Sequence, residues 1–314
     1  MTAGVVASSV QPTPAALGAV FDVSGSPAVT RRPELSRYVV RTRHTAFRRV
    51  APKPCVRTER IVAMTFNIHH AARDNRLDLE GIAREIEAVH PDVVALNEVD
   101  RHRTRSGNID EAAWLGERLG MASAFGANLT WSGGEQGQYG NALLTKLPIV
   151  ESANHLLPNR PGHEQRGLLL TTLDLHGIQF TVGATHFENR PDAPRLIQAR
   201  ATLDLLAGAS SPKLLMGDLN EDSRESALRL LQGTLRDLWA QVGVGYGRSF
   251  PSWGPGHARI DYLLGDSGVS AVEAGVASSN VSDHRPVWAV LDVTGEATCQ
   301  PPTLASAASA RSKR

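Results

Sequence analysis

The sequence predicts an α/β fold in which two β-sheets pack against each other and helices cover the outside. Three observations carry that prediction. Short, β-rich apolar runs alternate with segments whose apolar residues recur at helical spacing. Hairpin signals in the middle of the chain exclude a purely parallel sheet. Apolar residues make up 41% of 314, enough for one sizeable core.

The elements follow in order. IVAMTFN at 61–67 reads as a buried strand. Leu79, Ile82, Ile86 and Val89 then mark one helix face, with Asp78 as its N-cap and Pro91 as its stop. DVVALNE at 92–98 is a second strand, and Ile109, Ala112, Leu115 and Leu119 suggest a second helix. Strands are expected at 140–146, 149–157, 166–175 and 178–186, with His176-Gly177 turning the last pair into a hairpin. A helix near 193–207, a strand at 213–217, a helix near 224–231 and strands at 260–264 and 286–292 complete the domain, expected to span 58–294. Residues 1–57 and the Ala/Ser-rich 295–314 read as disordered tails.

Charge is unevenly distributed. The net charge is +1, yet residues 31–60 carry about +8 and residues 61–293 about −8. A domain that tracks duplex DNA usually carries a basic footprint, and the globular part here is acidic. No stretch approaches the ~20 uninterrupted apolar residues of a membrane span. Residues 2–21 lack a basic start and are interrupted by Pro12 and Pro14, unlike a secretory signal. A cytoplasmic monomer is the expectation from the sequence as it stands. A secreted protein is the alternative if Cys55 and Cys299 are bridged or the start lies elsewhere. Bridging requires the first and last strands to be neighbours; otherwise these are two unrelated thiols. Nothing resembles a zinc ligand set.

Polar residues punctuate the strands. Asn67 ends the first, Glu98 the second, and His186 the strand at 178–186; Asp218 and Asn220 follow the strand at 213–217. Asp261 sits inside the apolar run RIDYLL, where a carboxylate is costly unless paired. Asp283 and His284 open the last strand. Singly each has a bland reading as a turn, cap or packed residue. Together they lie on six strand segments spread over more than 200 residues, and sheet order could bring them to one rim.

TFN, LNE, GDLN, RIDYLL and SDHRPV, in this order over about 61–292, resemble the endonuclease/exonuclease/phosphatase superfamily. The resemblance implies a four-layer α/β/β/α sandwich with its site at one rim. It implies that Asn67, Glu98 and Asp283 hold Mg²⁺ or Mn²⁺. Asp218 would align or deprotonate the attacking water and Asn220 would hold that water or a phosphate oxygen. His284 would contact the phosphoryl group, oriented by Asp261, and His186 would be a second phosphate-side histidine. LNE departs from the family's usual Gln-Glu, and NIHHA places His69 and His70 just after the metal-site Asn.

YGNALLTK and EQRGLL are similar to segments of the sphingomyelinase-like and glycosylphosphatidylinositol-remodelling branch, so Asn141 and Arg166 either line the site or merely cap a strand and face solvent. Aromatic residues in two expected loops, 128–139 and 246–257, either touch substrate or anchor the loops. The implied activity is metal-dependent phosphodiester hydrolysis, on nucleic acid or on a small or lipid-linked phosphodiester. A catalytically silent binding scaffold is the competing reading, and it predicts erosion at the chemical positions.

Overall fold

The computed structural model describes residues 53–73, 76–134, 136–190 and 194–299. The expected tails therefore lie outside the described residues, apart from 53–57 and 295–299, which are strand.

Strand β1 (Lys53–Asn67) is followed by two short strands, β2 (Ala72–Arg73) and β3 (Arg76–Leu77), helix α1 (Leu79–Val89), β4 (Val93–Arg101) and α2 (Glu111–Leu119). Five strands come next: β5 (Ala122–Trp131), β6 (Gly137–Thr145), β7 (Ile149–Leu156), β8 (Gly167–Leu175) and β9 (Ile178–His186). The chain continues through α3 (Arg195–Ala207), β10 (Lys213–Asp218), α4 (Ser226–Gln232), β11 (Arg236–Asp237), α5 (Leu238–Val242), β12 (Asp261–Gly265), β13 (Val269–Val276) and β14 (Val287–Cys299).

Local chemistry explains the helix ends. Asp78 accepts from Gly81 N at the start of α1, and His90, in the left-handed region with Pro91 behind it, ends the helix. Asp110 accepts from Ala113 N at the start of α2, two residues inside the expected boundary, and Gly120 closes it. His176 and Gly177, both at positive φ, form the tight β8–β9 hairpin.

One six-stranded sheet has the order β13-β14-β1-β4-β6-β5 and the other β11-β12-β10-β9-β8-β7. Both are mixed: β1 runs parallel to β4 and β9 parallel to β10, while the other named neighbours run antiparallel. Alternation along β1 shows the layering. Ile61 and Ala63 face the inter-sheet core with Phe180, Val182, Leu214 and Met216, whereas Met64 and Phe66 face α1 and α2. Tyr262, Leu215 and Leu168 face α3 and α4 on the far side. The result is the four-layer sandwich expected.

Two edge strands, β5 and β13, escaped the sequence reading because their faces are largely open to solvent and show weak alternation. Residues 128–139, expected as a loop, belong mostly to the β5–β6 hairpin. β1 and β14 run past 58 and 294 because they pair with each other out to Lys53 and Cys299. Cys55 therefore lies on a strand beside that of Cys299, whose side chain is outside the described residues. Among the described residues no helix is long and apolar enough to cross a membrane.

Candidate active site

The two parallel pairs place the carboxyl-terminal ends of β1, β9 and β10 and the bulge of β4 at one rim, where ligands of open α/β sheets bind. Asn67 of β1 sits opposite Asn97 of β4, and Asp218 of β10 sits between His186 of β9 and Asp261 of β12. Because β12 and β14 run antiparallel to their neighbours, it is their beginnings that reach the same rim. Ser282 Oγ donates to Asn67 O at 2.7 Å and so pins Asp283 and His284 there. Gly217 allows β10 to approach β9 closely: a Cβ on it would stand 1.8 Å from Thr185 O.

The half of the rim around Asp218 is closed. Asp218 Oδ1 accepts from Asn220 N at 2.9 Å, and Oδ2 accepts from Asn67 Nδ2 at 3.1 Å. Oδ2 also lies 3.6 Å from His284 Nε2 and 3.4 Å from His186 Nε2. His284 Nδ1 donates to Asp261 Oδ2 at 2.8 Å, and Phe250 stacks on the ring at 4.8 Å. Asp261 thus has the partner its burial demands. Burial pushes the Asp218 carboxyl up to about 7, opposed by His284 and aided by Asp261. Burial works against the charge on His284, but Asp261 and Asp218 outweigh it and hold the imidazole at about 10.

His186 is the opposite case. Arg166 Nη1 lies 2.9 Å from its Nδ1, and a guanidinium only donates, so Nδ1 accepts; Nε2 lies 3.1 Å from Asn220 Nδ2 and 3.4 Å from Asp218 Oδ2. Burial, with Arg166 and His284 close by, pushes this histidine well below its usual range, so it is neutral.

The other half is open. Glu98 lies at a β-bulge, where the β4–β6 register shifts between Leu96 and Val99, and its φ is 59°. The bulge turns consecutive side chains to different tasks. Asn97 points between the sheets: its amide donates to Asn141 Oδ1 and Thr185 O, both at 2.9 Å, and its oxygen accepts from Asp218 N at 3.0 Å. Glu98 points to the rim, where its Oε1 accepts from Asn67 Nδ2 at 3.0 Å.

Asn67 Oδ1 accepts from His69 N at 3.1 Å, so the amide nitrogen, not the oxygen, faces Glu98 and Asp218. His69, His70 and Ala71 follow at φ values of 47°, 44° and 48°. Left-handed backbone costs about 1–2 kcal/mol per non-glycine residue. Burial, with Arg105 beside it, pushes His70 down to about 4.

A cleft of about 370 Å³ opens here, lined by His69, His70, Glu98, Asp283, Arg105 and Tyr139 among others. Asp100, buried, holds Arg105 through two bonds of 2.7 and 2.8 Å. Arg103 lies over the Trp131 ring at 3.6 Å. Ligand atoms of His69, His70 and Glu98 lie within 4.8 Å of one another, and the Asp283 carboxylate lines the same cleft. This donor set fits a divalent cation.

Asn67, Glu98, Asp218, Asn220, Asp261, Asp283, His284 and His186 thus gather at one rim. Asn141 sits behind it, fully buried, accepting from Asn97 and donating to Gly167 O at 3.0 Å. That is neither of the two places expected for it. Arg166 lines the cleft but is 3% exposed and holds His186. Asn97 was missed as more than a substitute for Gln; an amide within VVALNE was the available signal, since a buried one needs partners.

A family model described as Endonuclease/Exonuclease/phosphatase family matches residues 64–284. Among curated proteins, protein cwh43 of Schizosaccharomyces pombe is 31% identical over 149 residues, which are 46% of this chain and 14% of that protein. The chain therefore matches a small part of that relative. Among solved structures, an endonuclease/exonuclease/phosphatase from Beutenbergia cavernae is 27% identical with a TM-score of 0.61, covering 74% of this chain and 72% of that one. The mannosyl-6-phosphatase Bt3783 of Bacteroides thetaiotaomicron is 16% identical with a TM-score of 0.63, covering 74% and 99%. The human Nocturnin catalytic domain is 20% identical with a TM-score of 0.57, covering 76% and 96%. The last two share the fold.

Proposed function

Because the chain belongs to the Endonuclease/Exonuclease/phosphatase family, we propose that it hydrolyses a phosphodiester by in-line attack of a water held by Asp218, with Mg²⁺ or Mn²⁺ at Glu98. The family's enzymes hydrolyse phosphoester bonds and generally use divalent metals. The observation that carries this reading is the double contact of Asn67 Nδ2, which joins the Glu98 and Asp218 carboxylates across the two sheets.

The chemistry divides among the residues. Asp218, with its carboxyl pushed up to about 7 by burial, is poised to take a proton from water near neutral pH. As the water oxygen bonds to phosphorus, the ester oxygen departs on the opposite side. His284, kept charged by Asp261, places positive charge beside the attacked group. His186 and Asn220 fix the orientation of Asp218. A cation held by Glu98 would neutralise phosphoryl charge that otherwise repels the nucleophile.

Within the class we favour a small or lipid-linked phosphodiester over nucleic acid. The acidic balance of 61–293 and the similarity of YGNALLTK and EQRGLL to the sphingomyelinase-like branch support it. Hydrolysis of bis-p-nitrophenyl phosphate with Mg²⁺ or Mn²⁺ tests the mechanism. It should be abolished by EDTA and fall about 10²–10⁴-fold in Asp218→Ala; unchanged activity in that variant removes the mechanism. A steep loss of activity between about 50 and 200 mM salt would instead mark a DNA-tracking enzyme.

A further inference from the structure

We propose that the cation site of this chain is a two-histidine, one-carboxylate set, His69, His70 and Glu98, and that it takes Mn²⁺ or another first-row transition dication in preference to Mg²⁺. This rests on the reading that a cation is held at Glu98. It goes further by naming the donors and the class of metal they select.

Four observations lead to it. One ligand atom from each of the three side chains lies within 4.8 Å of the other two. The asparagine that the motif assigns to the metal has its oxygen engaged by His69 N, and its amide nitrogen faces the carboxylates. Next, His69 Nδ1 lies 3.0 Å from Ala72 O, a carbonyl that can only accept, so Nδ1 carries the proton and Nε2 keeps its lone pair. A backbone partner on the far nitrogen is the usual way a ligating imidazole is aimed. Finally, His70 Nδ1 is buried and has no hydrogen-bond partner among the described residues.

The backbone explains how the two rings meet. Consecutive left-handed residues at 69–71, none of them glycine, turn both imidazoles to one side, with ring centroids 4.4 Å apart and planes at 59°. The turn is held by Ala71 N donating to Ile68 O and by Asp78 N donating to Ala71 O. Strained backbone of this kind persists where surrounding structure enforces it and concentrates at ligand sites. Mg²⁺ prefers an all-oxygen shell with several waters, whereas imidazole nitrogen suits first-row transition dications.

The test is made on the full chain with Mn²⁺ and Mg²⁺ as probes. Pulsed electron paramagnetic resonance of the Mn²⁺-loaded, unsubstituted protein should show nitrogen modulation from coordinated imidazole. Calorimetric titration should show Mn²⁺ bound more tightly than Mg²⁺, and His69→Gln with His70→Gln should cut that preference by about 10–100-fold. Absence of nitrogen modulation overturns the proposal, as does an Mn²⁺/Mg²⁺ affinity ratio that is the same in the double variant. The resonance measurement decides alone if the double variant fails to fold. Failure of the hydrolytic reading shows separately, as a full chain with no EDTA-sensitive hydrolysis.

Discussion

The two halves of the rim are built in opposite ways. Around Asp218, the functional side chains are buried, Asn220 only partly, and already hydrogen-bonded to protein: Asp261 to His284, Arg166 to His186, and Asn67 and the backbone N of Asn220 to Asp218. Around Glu98, the side chains are partly open, the backbone is left-handed, and His70 Nδ1 lacks a partner among the described residues. The first half fixes protonation states in advance. The second leaves donors for something that arrives from solution. On the proposed mechanism one half governs proton inventory and the other ligand capture, so they should fail differently when altered.

Beyond Asp218→Ala, the largest effect should come from the open half. Glu98→Gln keeps shape and removes the carboxylate, and kcat should fall about 10³-fold, the value of several kcal/mol of charge stabilisation. A variant that retains full cation-dependent activity breaks the division between the halves.

Asp261→Asn probes the closed half, with an expected loss of about 10²-fold. Its signature is pH dependence. The proposed mechanism requires Asp218 deprotonated and His284 protonated, so the rate should rise through about pH 7 and fall through about pH 10. Asp261 raises His284 and also helps raise Asp218; without it the alkaline limb should move to lower pH, and the acid limb should move down as well. Steady-state rates across pH 5–11 check this, and an unmoved alkaline limb sinks the assignment of that limb to His284.

Asn97→Ala should act on the joint between the halves. It strips partners from Asp218 N, Thr185 O and Asn141 Oδ1, and leaving such groups buried costs about 1–3 kcal/mol. The melting temperature should fall, and wild-type stability would mean that the joint is not carried by this amide. The smallest effect belongs to neither half: Asp110→Ala removes the α2 cap at about 1 kcal/mol, read by denaturant midpoint at constant m-value.

Much of this architecture is legible in the chain. Helix α1 was marked by its apolar spacing, Asp78 and Pro91, and the β8–β9 hairpin by His176-Gly177. Asp261 announced a partner because an apolar run makes an unpaired carboxylate costly. The illegible parts are those set by non-local contacts. β5 and β13 pair along sheet edges without burying a clean face. The bulge that separates Asn97 from Glu98 depends on the register with β6, and the left-handed turn at 69–71 carries no glycine to signal it.

By itself the sequence determined which residues could do chemistry and that most of them would stand on or beside strands, because periodicity and punctuation are local properties. Only the tertiary structure decided that these ends meet. Parallel pairing of β1 with β4 and of β9 with β10 brings strand ends to one rim, while antiparallel β12 and β14 bring their beginnings. Direction and register also decided what the side chains meet: the Asn67 amide nitrogen reaches Asp218 on the other sheet, and His70 Nδ1 is left with no hydrogen-bond partner among the described residues. A hydrogen bond between residues far apart in the chain cannot be read before the sheets have packed.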